Sequence, residues 1–528
     1  MQLQSPLPSK GQDTASLVLS ARRRSDLLLF VLLFIATLCL VFLLVVGGVT
    51  FGFRYVLVIV GILPIVAVTV RWPTFGFFVV LGGTLLIEQN PLPVPVPFFF
   101  NTGYLYVFAW PNGLQGLPDR PIGFFMLFVL LVFIVQNLLR RQKTMQGGKL
   151  LLPFAFLLLC VVWGIVHGLG AGGNLQITTE EVRSFWYLFL GYLLAYNVIN
   201  SKRRLKLFFW FIIICAGIKA LEGVYIYIAV IHRNLSAYRS IMSHEESYFW
   251  IAILLLTALF SLYYRYRPQF YTALALLPFL LISLDANNRR ADYFALLVGL
   301  LVAWVLIFAI KPGARKGLVI ALISTSLLGG AYVAAFSNGQ GALEAPAHAV
   351  VSIFHPDATD AASNLYRDIE DYDLSYTVKL NPLGLGFGKP FLQPELLPDI
   401  STLDPVYLFI PHNTIYWVWM RLGPIGYLAL WYLFGAIIVR GCLYVRQLKD
   451  KYLQLIAIYI ICMVTMEIIV AFADYQLSFY RNVIYVGMLA GILMKLPALD
   501  QEQESGTKTS PQKTPVVTLV RTGVSKAS

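Results

Sequence analysis

The chain has 528 residues, of which 58% are hydrophobic and only 13% charged, with a mean hydropathy of +0.72. That is more apolar surface than one soluble core can hide, so the solvent of most of the chain is lipid. The net charge of +13 calls for no nucleic acid, because basic loops facing anionic headgroups account for it.

Residues 1–26 are expected to form a cytoplasmic tail. Arg22, Arg23 and Arg24 precede the apolar run Leu27 to Val46, which has no small-residue cleavage site after it and reads as a retained signal anchor. Further spans are predicted over Tyr55 to Val70, Phe75 to Ile87, Ile122 to Leu139, Leu150 to Val166, Phe185 to Ile199 and Leu205 to Ile231. They continue with Tyr248 to Tyr264, Phe270 to Leu284, Tyr293 to Ile310, Leu318 to Phe336, Thr414 to Val439, Leu453 to Val470 and Val483 to Met494. Phe75 to Ile87 is short for a crossing, and the Pro91 to Pro97 stretch after it cannot be helical throughout, which leaves a re-entrant element open there. The fold class is all-α: a polytopic membrane protein of about 12–14 spans, each near the length that crosses the hydrocarbon.

Threading the spans from an inside N-terminus sends every second connection to the cytoplasm. Those connections carry Arg140/Arg141/Lys143, Lys202/Arg203/Arg204, Arg265/Arg267, Lys311/Arg315/Lys316 and Arg440/Arg446/Lys449/Lys451, as the positive-inside rule expects. The chain divides into helices over 27–336, one large loop outside the membrane over 337–411, C-terminal helices over 412–497 and a polar tail over 498–528 with the composition of disorder, on the cytoplasmic side. The loop holds ten acidic residues against Arg367, Lys379 and Lys389, a net −7. The five cysteines all fall in apolar runs and read as small core residues. No paired carboxylates, Asp-x-Asp motif or His/Cys ligand set stands out near the outer face, so neither a metal nor a cofactor is expected. The run Gly384-Leu-Gly-Phe-Gly-Lys lacks the ending of a phosphate loop and reads as a turn.

The informative charges are those on the other side, where the positive-inside bias does not explain them. Arg54 and Arg120 stand alone, Arg183 and Arg481 sit beside aromatic anchors, and Arg233, Arg239, Arg289 and Arg290 lie in or beside outer connections. Guanidinium forks suit a lipid headgroup, and a pyrophosphate above all. The competing reading is that they snorkel to the interface or pair with Glu245, Glu246 or Asp292. That plainer reading is preferred for Arg183 and Arg481, while the others taken together favour function. His412, in Pro411-His412-Asn413-Thr414, has the chemistry of a general base at neutral pH or, more plainly, of an interfacial cap. Lys219 and Glu222 stand three apart and read as a buried ion pair.

Three stretches resemble one known family. They are Asn288-Arg-Arg-Ala-Asp-Tyr-Phe-Ala-Leu-Leu-Val-Gly-Leu, Asn381-Pro-Leu-Gly-Leu-Gly-Phe-Gly and His412-Asn-Thr-Ile-Tyr-Trp-Val-Trp-Met-Arg-Leu-Gly-Pro-Ile-Gly. In order and spacing they are similar to the arginine-headed helix, the glycine turn and the post-loop histidine of the O-antigen ligase and Wzy-type polymerase superfamily of bacterial membrane glycosyltransferases. The resemblance covers Ser283 to Val439.

This resemblance implies a multi-pass protein of the bacterial inner membrane that transfers an oligosaccharide from undecaprenyl pyrophosphate to an acceptor hydroxyl on the periplasmic side, without metal or cofactor. The acceptor would be a glycan or lipid A core, with membrane lipid and other polysaccharide assembly proteins as partners. Carried over by motif, Arg290 and Arg239 hold the pyrophosphate and His412 assists the acceptor. The doublet leaves open which of Arg289 and Arg290 is primary, and Arg367, in Ser-Asn-Leu-Tyr-Arg, resembles a further arginine of the loop. Tyr366, Tyr372, Tyr376 and Phe387 are either sugar-stacking faces or the loop's own core. Two other classes of function remain: a lipid-linked glycan flippase or transporter, and a non-catalytic envelope scaffold.

Overall fold

The computed structural model describes residues 53–89, 119–142, 145–235, 240–337, 344–352, 358–400 and 406–508, together with 31, 34, 94, 105–106 and 355–356. The predicted Leu27 to Val46 anchor, the Pro91 to Pro97 stretch, Cys39 and Arg239 lie outside them, 31, 34 and 94 apart. The described chain is all-helical. In order its helices are α1 (Phe53–Arg71), α2 (Pro73–Leu86), α3 (Pro121–Leu139), α4 (Leu151–Gly170), α5 (Leu175–Val198), α6 (Lys202–Tyr225), α7 (His244–Leu262), α8 (Arg267–Asn287) and α9 (Arg290–Ile310). After them come α10 (Arg315–Phe336), α11 (Ala345–Val351), α12 (Ala358–Leu380), α13 (Thr414–Gln447), α14 (Lys451–Ala471) and α15 (Tyr480–Lys508).

Ten of these helices are long and apolar enough to cross a membrane, and the chain is a multi-pass membrane protein. α1 and α2 supply shorter apolar segments, and α5, though long, is broken in hydropathy by Glu180, Glu181 and Arg183. Every predicted span from Tyr55 onward coincides with a helix. Burial separates an inner set from an outer one: α7, α14 and α15 have 83% of their apolar windows buried, whereas α10 has 6%. Cys160, Cys215 and Cys462 are buried and unpaired, as small core residues are.

Contacts between distant connections sort the helix ends. Lys202 meets Asp450 at 2.6 Å, Lys311 Nζ donates to the Tyr263 carbonyl at 3.3 Å, and Lys206 lies over the Tyr266 ring, so basic connections gather at one end. At the other end lie Glu88, Lys219, Glu246 and Arg481, which touch one another.

The glycine turn, residues 384–388, is tied down by a break in α13. Gly423 has φ 66°, and Pro424 after it has no N–H to give the Met420 carbonyl. The glycine turn fills the gap: Leu385 N–H donates to Met420 O at 2.7 Å and Gly386 N–H to Arg421 O at 3.1 Å. A Cβ on Gly386, at φ 78°, would sit 2.4 Å from the Gly168 Cα, so only glycine lets the turn lie against α4. The expected turn is thus the clasp between loop and helices. Phe387, offered above as a sugar-stacking face, is wholly buried against Phe185 and Trp417 and belongs to the core.

Candidate functional site

Five helix ends converge where the motifs meet. Asn288 ends α8 in the left-handed region (φ 50°), a conformation Asn tolerates, and this turn presents Arg289 and Arg290 at the start of α9. Asn287 next to it accepts from Met242 N–H at 2.9 Å and donates to Ser247 Oγ at 2.8 Å, which brings the start of α7, with His244, to the same corner. Thr414 Oγ1 donates to the Ala471 carbonyl at 3.0 Å, so the turn after α14, with Asp474 and Tyr475, packs under the start of α13. Helix α12 covers the convergence.

His412 is held on two sides. Its backbone N–H donates to Glu370 Oε2 at 2.8 Å, and its Nδ1 stands 3.2 Å from the same oxygen. Its ring lies 4.3 Å from the Tyr475 ring and 5.6 Å, edge-on, from Tyr366. The helix cap is Asn413, whose side chain accepts from Tyr416 N–H at 3.0 Å and donates to Asp371, so the imidazole is spared the capping role. With the Glu370 carboxylate at Nδ1, the tautomer that carries its proton on Nδ1 leaves Nε2 as a hydrogen-bond acceptor.

The two arginines of the doublet have different surroundings. Arg290 Nη1 is 3.1 Å from Asp360 and 3.4 Å from both the carbonyl and the hydroxyl of Ser352, so it ties α9 to the start of α12. Arg289 Nε and Arg367 Nε are buried without a hydrogen-bond partner, as are those of Arg120, Arg183 and Arg421, but unlike these three neither makes an ion pair within 4 Å among the described residues. Burial lowers the affinity of Arg289 for its proton, and Arg367 pushes the same way, while Asp474 and Asp292 oppose them. It remains a cation, since nothing near neutral pH deprotonates a guanidinium. Asp474 meets His244 Nδ1 at 2.6 Å. Burial alone would raise its carboxyl, but His244, then Arg289 and His412, outweigh that and hold it well below the usual carboxylate range. Two under-partnered guanidinium groups and an oriented imidazole therefore share one space, which suits an anion beside a hydroxyl.

Three of the other arginines singled out above, Arg481, Arg183 and Arg120, are occupied. Arg481 is completely buried among Glu88 at 3.1 Å, Glu245 at 3.8 Å and Glu246, with the Thr84 and Leu85 carbonyls taking its remaining donors. Glu245 and Glu246, suggested above as partners for the unexplained arginines, thus pair with Arg481, for which that plainer reading was preferred. Lys219 joins this network through Glu88 at 2.8 Å and forms the expected pair with Glu222 at 2.7 Å. Arg183 and Arg120 both pair with Glu180. Arg233 is exposed at a left-handed turn, apart from the site.

Sequence reasoning gave no role to Glu370, Asp474, Tyr475 or Arg421. Glu370 is one of ten loop acids, and no spacing to His412, 42 residues on, marks it out. Arg421 lies inside the third motif: it pairs with Glu181 at 2.6 Å and donates to the Gly386, Lys389 and Phe409 carbonyls, anchoring both ends of the segment before His412. Among the described residues, no group of three or more His, Cys, Asp or Glu is arranged to hold a metal ion. Compared with known proteins, the chain matches no family model and none of the curated proteins.

Proposed function

We propose that the chain is a membrane glycosyltransferase that moves an oligosaccharide from a polyprenyl-pyrophosphate carrier to an acceptor hydroxyl, at the periplasmic face of a bacterial inner membrane and without a metal. The observation that carries this reading is the pairing of Arg289 and Arg367, whose buried Nε groups lack partners, with a histidine oriented by Glu370. Such donors await an anion, since leaving a buried cation uncompensated costs several kcal/mol, roughly, until one arrives.

In the reaction, Nε2 of His412 takes the proton of the acceptor hydroxyl, and its oxygen attacks the anomeric carbon. The new glycosidic bond forms as the carbon–oxygen bond to pyrophosphate breaks, and the electron pair leaves with the polyprenyl pyrophosphate. Arg289 and Arg367 bear that growing charge, the kind of preorganised stabilisation worth about 10²–10³ in rate per donor. Arg290 is assigned a supporting role, holding α12 over the site. Tyr372 and Tyr376, which are exposed on α12, offer faces to the glycan.

The test is transfer by purified protein in lipid, with a polyprenyl-pyrophosphate oligosaccharide and EDTA, with and without lipid A core. Acceptor-dependent product lost in His412→Ala and Arg289→Ala means a ligase, and a product ladder without added acceptor means a polymerase. No product from wild type, together with glycan export that survives both substitutions in cells, would overturn the transferase reading in favour of a transporter or scaffold.

A further inference from the structure

The site holds a second imidazole that the reaction proposed above does not use. His244 opens α7, and its Nδ1 stands 2.6 Å from Asp474 Oδ2. The imidazole side chain is 31% exposed and the carboxylate 9%, so Asp474 is the more buried of the two. With a carboxylate at Nδ1, the other nitrogen, Nε2, lies on the far side of the ring. The arrangement repeats that of His412 and Glu370 from different elements, because Asp474 belongs to the turn after α14 and Glu370 to α12.

Local contacts fix where this pair sits. Asn287 Nδ2 donates to the Ser243 carbonyl at 3.2 Å and Ser243 Oγ donates to Glu88, which pins the start of α7 beside the turn that carries Arg289. The Phe479 ring lies 6.1 Å from the His244 ring. One carboxylate, one guanidinium and one other imidazole face His244: those of Asp474, Arg289 and His412. Glu245 and Glu246, next along α7, are turned to Arg481, and Asp292 of α9 acts on Asp474 and Arg289. A pyrophosphate bound among these groups adds the negative charges of both its phosphates, and the imidazolium form of His244 is then favoured.

Resting on the transferase reading, we propose that His244 is a further catalytic residue, which gives its Nε2 proton to the pyrophosphate oxygen that leaves the anomeric carbon. As the carbon–oxygen bond breaks, its electron pair stays on that oxygen, which takes the proton, and His244 is left neutral with its Nδ1 toward Asp474. His412 meanwhile holds the proton of the acceptor hydroxyl, and both imidazoles exchange protons with water between turnovers. The acid suits its task, since a phosphate monoester takes up its last proton near pH ~6, close to the ordinary imidazole value of about 6.5. Arg289 and Arg367 supply charge but have no proton to give near neutral pH. Asp474 is a positioning residue that acts through His244.

The experiment is the pH dependence of transfer by the full chain in lipid, with a polyprenyl-pyrophosphate oligosaccharide as donor, with and without lipid A core, and with rates taken per folded molecule. It compares wild type with His244→Asn, whose amide can keep the contact to Asp474, and His244→Gln, whose amide reaches the Nε2 position but has no proton to release. Wild-type kcat should be bell-shaped, its acid side set by His412 gaining a proton and its alkaline side by His244 losing one. His244→Asn should keep the wild-type melting midpoint, lose about 10²-fold in kcat with the acceptor KM unchanged, and lose the alkaline fall. His244→Gln should retain more of the rate, again without the alkaline fall. Full kcat in His244→Asn would make His244 structural, and an alkaline fall unchanged in both variants would assign that proton elsewhere; either result overturns this proposal alone. A wild type that transfers nothing at any pH overturns the transferase reading and this proposal with it.

Discussion

Arg481 and Arg289 occupy the same end of the bundle, and each has a buried Nε, yet their surroundings differ in every other respect. Arg481 meets three carboxylates and two backbone carbonyls. Arg289 has Asp474 nearby, but that carboxylate is already engaged by His244 at 2.6 Å, and Arg367 adds a second positive charge. Charge that the protein itself neutralises holds helices together. Charge left over is available to a ligand, and its price is a less stable apo structure. The contrast makes separate demands on stability and on chemistry.

The largest effect is expected from Arg481→Ala. Removing it leaves Glu88, Glu245 and Glu246 without their shared cation at 0% exposure, a loss of about 3–5 kcal/mol by analogy with broken buried pairs. Thermal unfolding in detergent and the yield of monodisperse protein measure this. A variant as stable as wild type would remove the structural half of the comparison. For Arg289→Ala the direction reverses: transfer is expected to fall by about 10²–10³-fold, and the melting midpoint to hold or rise because a buried guanidinium without hydrogen-bond partners has gone. A melting midpoint as low as that of Arg481→Ala, with transfer per folded molecule retained, would make Arg289 structural.

The two clusters were unequally legible in the sequence. Helices could be read from apolar runs because a span needs about 20 such residues whatever it packs against. The Lys219–Glu222 pair was legible too, since three residues on a helix bring two side chains to one face. The partners of Arg481 were not, because Glu88 and Glu246 reach it from helix ends 393 and 235 residues away in sequence. For the same reason the doublet could be found but not resolved. Adjacent residues at a helix start point different ways, and only the left-handed turn at Asn288 decides which of them faces α12 and which faces the start of α7 and the turn after α14. His412 was visible as an imidazole at a span mouth. Its orienting carboxylate lies on a loop helix whose register against α13 no local pattern encodes.

A smaller effect, dependent on pH, follows from Asp474. Its folded-state carboxyl is held below its ordinary value, so its stabilising contribution is present above the unfolded pKa of about 3.9 and is lost as pH falls through the folded one. Asp474→Asn should therefore destabilise the protein above pH ~5 by about 2 kcal/mol, the scale of a hydrogen bond to a charged group. The melting curves of variant and wild type should converge as the pH drops below about 4. A gap that stays constant down to strongly acidic pH would mean that Asp474 acts through packing, and the charge balance drawn around Arg289 would need another counterion.

The smallest effect, and the sharpest use of the comparison, belongs to Arg290→Ala. Its pair with Asp360 is partly exposed on both sides, 20% and 22%, so screening limits the loss to about 0.5 kcal/mol. Since Arg290 holds α12 in place rather than facing the cluster, transfer should fall only severalfold, and an extra tether between α9 and α12 should restore it. Side-by-side kinetics of Arg289→Ala and Arg290→Ala then decide between neighbours that the sequence cannot separate. If Arg290→Ala instead costs the full 10²–10³-fold, roughly, with the tether giving no rescue, the anion-binding role moves one residue along the chain. Asp360 would then be a counterion that the pyrophosphate displaces on binding, and Asp360→Asn would be expected to tighten donor binding rather than loosen the loop.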